Sequence, residues 1–248
     1  MTNGSSIESG APMAGGAAPL RPLWARIWGI LVSPRAVFEE LAQRPAWLGA
    51  TLLLSVVSIV ITFALYEPVI LPTMLEQAEE RVTSSEQLAQ AEAMYASTGM
   101  KIFVCLMGGF GNVFFIVVIG LLLTGACSFL LGSKVSWKQG LAVSAHALLV
   151  LLPRSLLALP IMLQRGTPEV SLGPGVFFPP SEAEGFAGKF LASLMGGFDL
   201  FQLWALALAV LGMAVAARQE PGRVGRVVVP GYLVIIVIWS LVAGMQGN

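Results

Sequence analysis

Two ionisable residues stand inside apolar stretches and could do chemistry there. Arg154 follows Pro153, and Asp199 is the chain's single aspartate. A charge at such depth is costly and by default marks a substrate, ion or proton pathway, or a fixed partner. Arg154 lies nine residues before the end of an apolar stretch at Leu163, and Asp199 nine residues after the next begins at Phe190. Antiparallel helices would hold both about 13 Å from one boundary, at about 1.5 Å of rise per residue. The spacing therefore predicts an Arg154–Asp199 pair. It could line a pathway, or fix helix register, since losing one partner strands the other charge. His146, the only histidine, could relay protons or hydrogen-bond a neighbouring helix.

Other chemistries find less support. Cys105 and Cys127 are 22 residues apart on one apolar stretch, about 33 Å along a helix, too far to pair with each other. Without His or acid neighbours they make no zinc site. Glu39-Glu40-x-x-x-Arg44 matches the EExxxR signature of CAAX-type intramembrane proteases. Such enzymes need histidines on neighbouring helices, and Ala142 stands four positions before His146 where a Phe is expected. Gly196-Gly197-Phe198-Asp199 departs from the GxGD of intramembrane aspartyl proteases, and a second aspartate is missing. No Walker loop, HExxH, GxSxG or dinucleotide fingerprint occurs in the required context. No catalytic residue, metal or cofactor is expected.

The elements that position these residues follow from composition. Hydrophobic residues make up 56% of the 248, charged residues 11%, and mean hydropathy is +0.80. Such a chain cannot cover itself with water-compatible groups. Fourteen basic and fourteen acidic residues cancel, so there is no cationic footprint for nucleic acid. The prediction is an all-α polytopic membrane protein with five transmembrane helices, at about 46–66, 102–131, 139–163, 190–217 and 227–245; each exceeds or approaches the ~20 apolar residues a bilayer requires. Nine basic residues fall on the side of the N-terminus and four on the other. The positive-inside rule places the N-terminus in the cytoplasm and the C-terminus outside. Residues 1–20 lack the charged and apolar regions of a signal peptide, so the first span is expected to act as anchor.

Residues 1–22 read as a disordered Gly/Ala/Pro-rich tail. Residues 23–45 read as an interfacial amphipathic helix. Trp24, Ile27, Trp28 and Leu31 form one stripe and Val37, Phe38, Leu41 and Ala42 the next, with Ser33-Pro34 as a cap and first helical residue between them. This segment would lie on the cytoplasmic leaflet or pack against the bundle's cytoplasmic end. A Glu40–Arg44 pair would support it. The loop 67–101 is acidic and helix-prone, with Ser84 and Gln87 as a capping box, and predicts a helical hairpin outside the membrane. The loop 164–189 holds five Gly and four Pro among residues 164–188 and reads as irregular. Gly108, Gly109, Gly111, Gly196 and Gly197 offer close helix packing, or unwinding as in transporters. Pro153 and Pro160 should kink the third span.

Three stretches then resemble the bacterial branch of the Yip-domain family, named for interaction with Ypt/Rab GTPases. The first is Trp28…Ser33-Pro34-Arg35-Ala36-Val37-Phe38 running into Arg44-Pro45-Ala46-Trp47. The second is Ser136-Trp137-Lys138-Gln139-Gly140-Leu141-Ala142 followed by Leu152-Pro153. The third is Asp199-Leu200-Phe201-Gln202-Leu203-Trp204 leading to Leu211-Gly212. This last also singles out Trp204 as a candidate site beside His146 and Pro153. The resemblance implies an integral membrane protein without an established catalytic activity. The acidic and tyrosine-bearing N-terminal motifs of the eukaryotic, GTPase-binding relatives are missing here. The expectation is a non-enzymatic protein of the bacterial inner membrane whose partners are the lipid bilayer and a membrane or cytoplasmic protein. The alternative is a small transporter or channel using Arg154, Asp199 and His146.

Overall fold

A computed structural model describes residues 20–168 and 170–245. Most of the expected tail, residues 1–19, lies outside the described residues. The described chain is helical, with no strand. Five of its helical segments are long and apolar enough to cross a membrane: Leu48–Glu79, Thr98–Leu131, Trp137–Arg165, Leu200–Ala217 and Pro221–Met245.

Two short helices precede them, α1 (Leu23–Val32) and α2 (Pro34–Gln43). The expected single interfacial helix is thus a pair, because Pro34 starts a new helix at its N1 position. Ser33 makes no side-chain cap bond. The buried face of α1 is also not the aromatic stripe. Arg26, Gly29 and Ile30 face inward, while Trp24 and Trp28 are 73% and 65% exposed. In α2, Val37, Phe38 and Leu41 are buried. They join one apolar core with Val143, Val150, Leu208, Met213 and Val224. So α2 is a plug in the bundle's end. A Cβ on Gly212 would meet Phe38 Cε1 at 2.8 Å, so glycine there is what admits the ring.

The first long segment comprises α3 (Leu48–Leu65), a π turn at Tyr66–Ile70 and α4 (Leu71–Glu79). Helix α5 (Ser85–Tyr95) follows. Ser84 accepts from Gln87 N at 3.3 Å, as its cap role requires, while Gln87 Oε1 accepts from Thr83 N rather than from Ser84 N. Then comes α6 (Thr98–Leu131), 34 residues long, which outreaches a ~30 Å hydrocarbon core. It ends at Gly132 with φ +63°, where Ser133 N donates to Cys127 O. That left-handed cap is cheap only for glycine.

The third segment is not one kinked helix. It comprises α7 (Trp137–Ala147), a 3-10 turn at Leu148–Val150 and α8 (Leu151–Arg165). Pro153 falls in the first turn of α8, where its missing N–H costs little, and its ring is incompatible with an unbroken helix through Leu149. Pro160 lies inside α8. The fourth expected span, 190–217, is broken in two: α9 (Gly185–Gly196) and α10 (Leu200–Ala217). Both run beside α11 (Pro221–Met245).

Candidate functional site

The break between α9 and α10 has a local cause. Gly196-Gly197 weakens the helix by backbone entropy, and Asp199 competes for backbone donors. Asp199 is the N-cap of α10, with Oδ1 accepting from Phe201 N at 2.9 Å. So Asp199 stands at a helix junction, not in the interior of a continuous span. Its second oxygen, Oδ2, accepts from Arg154 Nε at 3.1 Å and from Leu172 N at 3.1 Å. Asp199 is wholly buried. Arg154 also donates from an Nη group to Val170 O at 3.2 Å. The loop after α8 is thereby drawn over the break. Gly173 permits this, since a Cβ there would meet Phe198 O at 2.7 Å.

Across the junction, Tyr232 of α11 donates its hydroxyl to Gly197 O at 2.6 Å. Gln202 lies 3.3 Å from the same Oη. Tyrosine has one proton and the shorter contact takes it. The Gln202 carboxamide is then satisfied when it turns its amino group to Oη. Gly197 packs on Ile236, where a Cβ would come within 2.8 Å. Ile236 is nine residues from the end of α11, about 13 Å along the axis. Arg154, Gly197 and Tyr232 thus form one polar junction around the buried Asp199.

A second junction lies at the α1/α2 end. Arg26 Nη1 and His146 Nε2 are 3.1 Å apart, and His146 Nδ1 is 2.9 Å from Ala142 O. A carbonyl only accepts, so Nδ1 carries the proton and Nε2 accepts from Arg26. Arg26 donates further to Arg21 O and Ala46 O. Arg21 donates from its backbone N and its Nε to the Glu40 carboxylate at 2.7 and 2.5 Å. Glu40 is therefore occupied by Arg21, 19 residues away, rather than by Arg44 one turn on. Burial pushes the Glu40 carboxyl up, but its bonds to Arg21 outweigh this and hold it below the usual range. Burial pulls the Arg26 guanidinium down, with Glu40 opposing and Arg21 assisting. It remains a cation.

The two junctions do not meet; each binds different helices. The remaining candidates are scattered. Gly108 and Gly109 lie against Thr62 and Ile59 of α3. A Cβ on Gly111 or Gly196 would touch nothing within 4 Å. Trp204 is part-exposed and stacks on Phe201, with centroids 6.4 Å apart. Cys105 and Cys127 are buried free thiols. Glu39 pairs with Arg35 on the surface at 3.0 Å, so the EExxxR acids turn to different partners. Among the described residues no three His, Cys, Asp or Glu side chains converge as metal ligands.

Sequence reasoning passed over several contributors. Arg26 lay off the expected apolar stripe and is the residue that α1 buries. Tyr232 gave no signal beyond an aromatic in a span. Gly140 faces the Thr124 hydroxyl and Gly120 O so closely that a Cβ has no room. Ser136 and Gln139 complete a capping box at α7, and Gln139 Nε2 donates to Ala42 O at 2.7 Å, tying α7 to the end of α2. The Ser-x-x-Gln spacing could have found the cap but not the tie.

A family model described as the Yip1 domain matches residues 28–244. No curated protein and no solved structure matches the chain. The matched residues take in α2, the five membrane-length segments, and both partners of the Arg154–Asp199 bond. The chain belongs to the Yip1-domain family of membrane proteins.

Proposed function

We propose that this protein is a non-enzymatic component of a bacterial inner membrane that acts through contacts with a membrane or cytoplasmic protein. In this reading the N-terminus is cytoplasmic and the C-terminus outside. The Yip1 family is not a known enzyme family. One observation carries the reading: the buried ionisable groups that could couple a transport step are consumed by structural bonds. Both Asp199 oxygens hold donors, from Arg154, Leu172 and Phe201. Both His146 nitrogens are engaged, by Arg26 and Ala142. A relay needs a group free to exchange its proton.

The test is reconstitution of the full chain into liposomes with a panel of ions and solutes. No flux above protein-free vesicles is expected, and none that Asp199→Asn changes. Flux abolished by Asp199→Asn would favour the transporter reading, for which broken helices are a precedent. Crosslinking in native membrane should recover a stoichiometric partner, lost on changes within residues 24–44. For topology, a reporter active only outside should work at the C-terminus and fail at 132–138.

A further inference from the structure

A cavity of about 320 Å³ lies among α6, the α7–α8 turn, α10 and α11. It falls within the size range of small-ligand sites, ~300–1,000 Å³. Its inner wall is made by the buried side chains Leu123, Ala147, Ala205 and Ala209. Its mouth is made by Phe115, Leu122 and Ile235, which are 50%, 52% and 45% exposed. These three lie in membrane-length segments, so what stands outside the mouth is hydrocarbon.

The few polar side chains in the wall are already occupied. Ser144 donates to Ile116 O or Leu141 O, at 3.0 and 3.1 Å. Tyr232 and Gln202 belong to the Asp199 junction. Water needs two to four polar partners, and a lining this apolar offers few; apolar cavities stay dry. An empty void would forfeit dispersion contacts along its lining. The α6 wall runs from Phe115 to Ala126, about 16 Å of helix. An acyl chain of one leaflet, half of a ~30 Å hydrocarbon core, is about that long.

We infer that this cavity is a binding site for an acyl chain of a bilayer lipid, entering sideways between α6 and α11. The chain is recognised by shape and dryness, and the lipid's headgroup stays outside. The site requires only that the protein sits in a bilayer. It is independent of what the protein contacts, so it can fail while the contact reading stands.

The full chain is reconstituted into phosphatidylethanolamine vesicles with a small fraction of phosphatidylcholine carrying a diazirine within one acyl chain. After irradiation the labelled residues are mapped by mass spectrometry. Label is expected on Leu123, Ala147, Ala205 and Ala209, which bulk lipid does not reach. Gly231 also lines the cavity, and a Cβ there meets nothing within 4 Å. Gly231→Leu should cut inner-wall label about fivefold by filling the site. Gly111→Leu, equally open but outside the cavity, should leave it unchanged. Label confined to outward residues of the wild-type chain would overturn the inference without recourse to any variant. So would inner-wall label that Gly231→Leu does not reduce, or crosslinks joining two copies through α6 and α11.

Discussion

Arg154 and Asp199 are 45 positions apart in the chain and 3.1 Å apart in the fold, Nε to Oδ2. The two ends are unequal. The Asp199 side chain is 1% exposed and the Arg154 side chain 24%. Losing arginine leaves a carboxylate with no counter-ion in a low-dielectric site, whereas Asp199→Asn leaves Arg154 its bond to Val170 O and an uncharged partner beside it. Asparagine also remains a good N-cap for Phe201 N. Arg154→Ala should therefore cost more than Asp199→Asn, about 3–5 kcal/mol for the former. Denaturant titration in detergent gives the order. In a double-mutant cycle the losses should be non-additive by at least about 1 kcal/mol. Additive losses would show that the contact contributes nothing.

The pairing was legible in the sequence because two charges isolated in apolar stretches have few alternatives. Depth counted in residues sufficed to match them. What spacing could not reveal was that Asp199 ends one helix and begins another. A window of hydropathy averages over Gly197-Phe198-Asp199, and a cap is decided by backbone geometry that carries no periodic signal. The burial of Arg26 was not legible for a different reason. In water, Trp24 and Trp28 would be buried and Arg26 exposed. At a bilayer's edge the aromatics are tolerated outside, and Arg26 is more stable bonded to carbonyls and His146 within.

Glu40 should make stability depend on acid. Its folded-state carboxyl titrates below the ordinary range because of Arg21. The stabilisation is therefore fully present above the unfolded value, about 4.3, and is lost as pH falls through the depressed folded value. Glu40→Gln should unfold more readily than wild type at neutral pH, and the gap should narrow steadily below about pH 4. Unfolding midpoints recorded across pH for both proteins measure this. A gap of constant size would show that Arg21 does not perturb Glu40.

Helix α2 behaves as a plug only if its buried ring matters more than the exposed indoles of α1. Phe38 is 1% exposed and sits against Gly212. Phe38→Ala should cost about 3–5 kcal/mol by leaving a cavity. Trp24→Ala and Trp28→Ala should each stay within about 0.5 kcal/mol in detergent, because neither side chain is packed in the bundle. Equal losses at all three positions would return the segment to the bilayer surface.

The glycines divide sharply by environment, and the division can be tested by adding one methyl group. At Gly140 a Cβ would run into the Thr124 side chain and the Gly120 backbone. Two helix backbones touch there, as small residues allow. The backbone of Gly120 cannot rotate away as a side chain could. Gly140→Ala must therefore separate α6 from α7, with a cost of about 1–3 kcal/mol or more. At Gly196 a Cβ meets nothing within 4 Å, and the residue is the last of α9. Gly196→Ala should be neutral or stabilising by up to about 1 kcal/mol, since alanine loses less backbone entropy in a helix. Thermal unfolding of both variants in one detergent decides the matter. Similar losses at the two positions would mean that glycine serves the α9–α10 break through backbone freedom rather than space.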